Sequence, residues 1–68
     1  MKPSQLKRLR KEYSDIEEKQ EKLVAFMKTD KFDSLSAAEQ HLLVRQLFAM
    51  ECYASMLELR LEIYEREL

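Results

Sequence analysis

Two apolar stripes in this chain match each other in reverse order. The first is Leu6, Leu9, Tyr13, Ile16, Gln20, Leu23 and Met27. The second is Leu43, Leu47, Met50, Ala54, Leu57, Leu61, Tyr64 and Leu68. Both advance in alternating steps of three and four, the seam of helices that pack lengthwise. A fold-back near Leu35 pairs them rung by rung: Met27 with Leu43, Leu23 with Leu47, Gln20 with Met50, Ile16 with Ala54, Tyr13 with Leu57, Leu9 with Leu61, and Leu6 with Tyr64. A one-residue slip in either helix spoils every rung. The pattern predicts an all-α fold, an antiparallel two-helix hairpin over residues 1–68 as a single unit.

Composition agrees with helix and with little else. Glycine is absent and Pro3 is the one proline, which removes most ways of making sharp turns or strands. The 68 residues make one domain at most, and chains this short usually need a staple or a partner. Cys52 is the lone cysteine and His41 the lone histidine, so neither an intrachain disulfide nor a Cys/His metal site is expected, and no cofactor. The formal net charge of −1 makes nucleic-acid binding unlikely. The N-terminus, Met1-Lys2-Pro3-Ser4, runs into charged residues with no apolar signal segment, and no apolar run reaches membrane-span length. A cytoplasmic protein is expected.

Helix one is predicted over about residues 4–28, starting at Pro3 or Ser4 because proline suits a first helical turn. Its outer face carries Lys7, Arg8, Lys11, Glu17, Glu18, Glu21 and Lys22, with Glu18 and Lys22 in the favourable i,i+4 order. Residues 29–35 form the connection. Asp30, Asp33 and Ser34 offer side chains to backbone amides there, and Phe32 and Leu35 plug the open end. Ser36-Ala37-Ala38-Glu39 fits a capping box that starts helix two, predicted to residue 66. A hydrophobic staple would pair Leu35 with position 40, which is Gln40 instead.

Helix two carries more apolar surface than helix one can hide. Beside its seam lies the row Leu42, Gln46, Ala49, Tyr53, Met56, Arg60, Ile63, and on the other flank Val44, Phe48, Cys52 and Leu59. A helix apolar on nearly all sides is buried on nearly all sides, and exposed patches of this kind mark interaction surfaces. The expectation is a homo-oligomeric helical bundle, a dimer or higher, with Leu43, Leu47, Met50, Leu57 and Leu61 in its core.

Gln46, Tyr53 and Arg60 stand seven residues apart on one face, with Ala49 between them. Arg60 suits a phosphate or carboxylate, Tyr53 a ring, Gln46 an amide edge, and Ala49 leaves room for a flat group. That is a candidate nucleotide site at a subunit interface. The alternative is that Arg60 reaches solvent or pairs with a glutamate across the interface while Tyr53 packs. The basic turn Lys7, Arg8, Arg10, Lys11 is either an anion site or the charge partner of Glu58, Glu62, Glu65 and Glu67 across the hairpin. Gln20 reads as a register-setting polar residue in the seam, with a contribution to a pocket as its alternative, and Cys52 as a small apolar-flank residue. No Ser/His/Asp or Cys/His set, Gly-rich phosphate loop or HExxH motif occurs, so a non-enzyme is expected.

The stretch Leu42-Leu43-Val44-Arg45-Gln46-Leu47-Phe48-Ala49-Met50-Glu51-Cys52-Tyr53, continuing to Leu57 and Arg60-Leu61, with the connection Phe26, Phe32, Leu35-Ser36 before it, resembles a family of short helical-hairpin proteins of tailed phages, including crAss-like phages. The likeness runs from Leu6 to Leu61. It implies a phage or prophage origin and action in the bacterial cytoplasm. Such hairpins are similar in plan to viral sponges, which hold nucleotide-derived immune signals without cleaving them. The resemblance therefore implies a cyclic nucleotide or cyclic ADP-ribose-type ligand, with Gln46, Tyr53 and Arg60 as contacts. A structural or protein-interaction oligomer with no small-molecule ligand is the alternative.

Overall fold

In the computed structural model, which describes residues 2–67, the chain forms three helices: α1 (Pro3–Met27), α2 (Asp30–Asp33) and α3 (Ala37–Glu67). The all-α class holds, with no strand among the described residues. Leu68, assigned to the second stripe, and the side chain of Glu67, grouped with the C-terminal carboxylates, lie outside what is described. Helices α1 and α3 lie side by side in a particle 49 × 14 × 13 Å, close to the roughly 46 Å that 31 helical residues span.

Local chemistry sets the helix ends. Pro3 occupies the first turn of α1, preceded by extended Lys2, whose backbone N–H donates to the Gln5 Oε1 at 3.2 Å. The last turn of α1 tightens: Lys28 and Thr29 N–H groups donate three residues back, to Ala25 O at 3.2 Å and Phe26 O at 3.0 Å. Thr29 serves two helices. Its hydroxyl donates to Phe26 O at 2.6 Å and its Oγ1 accepts from Phe32 N–H at 3.3 Å, closing α1 and capping α2.

The connection differs from its reading as a turn built on aspartates. Residues 30–33 form one turn of helix, and Thr29 and Ser34 supply the side-chain bonds, the Ser34 hydroxyl donating to Lys31 O at 2.7 Å. Gln40, which breaks the staple pattern, has a separate role. Its Nε2 lies 2.9 Å from Phe32 O, 3.3 Å from Leu35 O and 3.4 Å from Asp33 O. It thus adds a side-chain donor to the carbonyls at the end of α2 and in the turn after it, where Phe32 O also accepts from Leu35 N–H at 3.1 Å. The Ser36 half of the expected box is present, Ser36 Oγ accepting from Glu39 N–H at 3.1 Å. Phe26 and Phe32 meet edge to face, ring centroids 6.1 Å apart, a favoured aromatic geometry.

Every described member of the two stripes is buried or half-buried. Among the described residues the buried apolar set is Leu6, Leu9, Ala54 and Leu57, with Leu57 only 1 % exposed. Leu57 is thus covered within one chain. The other residues assigned to an oligomer core, Leu43, Leu47, Met50 and Leu61, are half-buried. The fold leaves Leu42, Phe48, Met56, Leu59 and Ile63 of α3 more than half exposed. No helix of the described residues is long and apolar enough to cross a membrane.

Candidate functional site

A groove of about 270 Å³ opens between α1 and α3, lined by Gln5, Arg8, Leu9, Glu12 and Arg60. On α1 the positions 5, 8 and 12 step by three and four, the row beside the buried seam of Leu6, Leu9 and Tyr13. Arg60 enters from α3. The result is two guanidinium groups, an amide and a carboxylate around an apolar floor at Leu9. Among the described residues neither Arg8 nor Arg60 has a carboxylate within 4.0 Å. Arg60 instead lies over the Tyr64 ring, 5.9 Å from its centroid, a cation–π distance. Arginine in such a setting keeps its planar donors for an incoming phosphate or carboxylate.

Tyr53 adjoins this site. Its hydroxyl donates to Glu12 Oε1, tying α3 to α1 across 41 residues of chain. That hydrogen bond, then partial burial and the negative charge of Glu12, raise the Tyr53 pKa above the usual phenol value, while Arg60 pulls the other way. Tyr53 is therefore a neutral donor at ordinary pH, and part of its ring, 42 % exposed overall, still faces outward.

The sequence-predicted residues divide between two regions. Arg60 and Arg8 share the groove, and Tyr53 reaches it through Glu12. Gln46 and Ala49 are exposed on α3 further along. Fourteen residues of helix put Gln46 about 21 Å along the axis from Arg60, and the groove of the single chain does not include it. Of the other basic candidates, Lys11 lies 3.7 Å from Asp15 and Arg10 lies 3.1 Å from Glu65. Arg10 thus follows the charge-pairing reading rather than the anion-site one. Lys7 is exposed and does not line the groove.

Gln5 and Glu12 were not among the candidates, although the 5, 8, 12 spacing on a helix pointed to them. Gln20, half-buried in the seam, lines a second, larger depression of about 460 Å³ with Glu21, Val24, Ala25, Lys28, Leu47 and Glu51. No group of His, Cys, Asp and Glu suited to a metal ion occurs among the described residues.

Neither the curated proteins nor the solved structures contain a match to this chain. The family model described as Sequestin does match, over residues 3–63. That span holds α1, α2, all five groove residues and Tyr53, and by it the chain belongs to the Sequestin family.

Proposed function

We propose that this protein is a phage anti-defence sponge: a homo-oligomer that binds a nucleotide-derived immune signal in the bacterial cytoplasm and holds it without cleaving it. One observation carries the reading. Arg8 and Arg60, on separate helices and without ion-pair partners among the described residues, flank one apolar-floored groove. Guanidinium forks suit phosphate oxygens, and the Glu12 carboxylate can accept from a sugar hydroxyl or base amine. The family name, which speaks of sequestering, supports the same reading. Holding needs no more than the amide, guanidinium and carboxylate groups that line the groove.

The test is calorimetry with cyclic dinucleotides, cyclic trinucleotides and cyclic ADP-ribose isomers on the wild type, Arg8→Ala and Arg60→Ala. Each substitution removes a charge-assisted contact worth about 1.5–3 kcal/mol, a loss of tenfold or more in affinity. The bound molecule is recovered intact after denaturation. Silence across the panel, or equal binding by all three proteins, refutes the site.

A second reading has its own support. The exposed apolar residues of α3 and the engagement of the Tyr53 hydroxyl by Glu12 suit a structural oligomer with no small-molecule ligand. In that case both arginine variants keep full function in any binding assay with a protein partner.

A further inference from the structure

The side of α3 turned away from α1 carries a complete seam that nothing in the single chain covers. Leu42, Ala49, Cys52, Met56, Leu59 and Ile63 are all exposed, the large ones by 51–65 %. With Arg45 they step by three and four over about 32 Å of helix. The chain exposes 5449 Å² at 8.2 kDa, roughly 900 Å² more than the approximately 4,500 Å² of a compact monomer of that mass. A standard interface buries about 800 Å² on each side.

We infer that a second copy of this chain docks on this seam, α3 against α3 and antiparallel, with the two-fold axis at the level of residue 54. The orientation and register follow from side-chain size and charge. In this register Ala49 meets the partner's Leu59, Cys52 meets the partner's Met56, Arg45 meets the partner's Ile63, and at the outermost layer Leu42 lies along the aliphatic stem of the partner's Arg66. Each inner layer sets a small residue against a large one, as close packing requires. Shifting the axis to the next heptad layer puts Leu42 on the partner's Leu59 and Ala49 on the partner's Cys52, large on large and small on small. A parallel pair is worse: it sets Ala49 on itself and Arg45 on itself, a like-charge contact. In the antiparallel register the two Arg45 side chains stand about 27 Å apart along the axis, near the outer ends of the seam, where they reach solvent.

The interface rests on the homo-oligomer reading and specifies its surface. The test is disulfide cross-linking of the full chain under oxidised glutathione, with sedimentation run in parallel. In a Cys52→Ser background, Ala49→Cys with Leu59→Cys places two facing thiol pairs in the inferred register. These positions are about 15 Å apart within one chain, too far for an internal bridge. Leu42→Cys with Leu59→Cys reports the shifted register, and wild-type Cys52 reports the parallel pair. The expected result is a covalent dimer of the first variant in the majority of molecules, with at least tenfold less from the other two. Preferential cross-linking of either of the others overturns the seam. So does a sedimenting oligomer that none of the three traps, which leaves the homo-oligomer standing on another face. A monomer throughout refutes both.

Discussion

Leu57→Ala probes the one side chain that this fold removes almost wholly from water. At 1 % exposure it is the most buried residue of the seam. Truncation deletes three carbons, about 2.4 kcal/mol of transfer free energy at roughly 0.8 kcal/mol per methylene. A cavity contribution adds to this, and buried Leu→Ala changes typically cost about 2.7–5 kcal/mol. The seam neighbours Leu61 and Tyr13 are only half-buried, so the site can partly collapse, and a loss of about 2.5–3.5 kcal/mol is expected. A chain of this length has a total stability of roughly 3–10 kcal/mol, so the change removes about a quarter of it or more. Leu42→Ala is the internal control. Leu42 is 65 % exposed in the single chain, which limits its loss to about 0.8 kcal/mol where the protein is monomeric. That loss grows with protein concentration if association covers it. Urea unfolding followed by circular dichroism, at several concentrations, reads both. A cost under about 1 kcal/mol for Leu57→Ala refutes the seam assignment, as does a Leu42→Ala cost that equals it in dilute solution.

Gln40→Ala leaves the carbonyls around the end of α2 without their side-chain donor and should cost about 0.5–1.5 kcal/mol, with faster amide exchange confined to residues 29–35; unchanged exchange there refutes the capping role. The Tyr53 pKa is raised by its hydrogen bond to Glu12 and that of Tyr13 by burial and then by Glu17 and Glu58. A raised pKa favours the neutral phenol in the folded state, so stability is fully present below the ordinary phenol value of about 10 and is lost as pH rises through the folded values. Tyr53→Phe should shrink that alkaline loss without abolishing it, because Tyr13 remains; an unchanged pH–stability curve counts against the Glu12 contact. Arg10→Ala removes an exposed pair with Glu65 and should shift the urea midpoint by less than the equivalent of about 1 kcal/mol, a larger shift showing that the pair anchors the helix ends.

Periodicity alone determined the two stripes that α1 and α3 protect, whereas Phe26, Phe32, Leu35, Gln40 and Val44 are half-buried off them. A helix turns about 100° per residue, so steps of three and four fix an angular face wherever the helix sits, and both stripes became the protected faces of α1 and α3. Ser36 at the start of α3 was legible for a similar reason, since N-capping is decided within four residues. Long-range encounters were not legible. Gln40 looked like a defect in a staple until the chain turned far enough to bring the α2 carbonyls within its reach. Seven-residue spacing placed Gln46, Tyr53 and Arg60 on one face, yet angular alignment says nothing of the roughly 10 Å of rise between successive members. The tertiary structure supplied Arg60 with Arg8 and Glu12 from the neighbouring helix and left Gln46 outside the groove. Local pattern fixes direction around a helix axis, whereas a site depends on the depth and offset at which two helices meet, and these are set by how the whole seam packs.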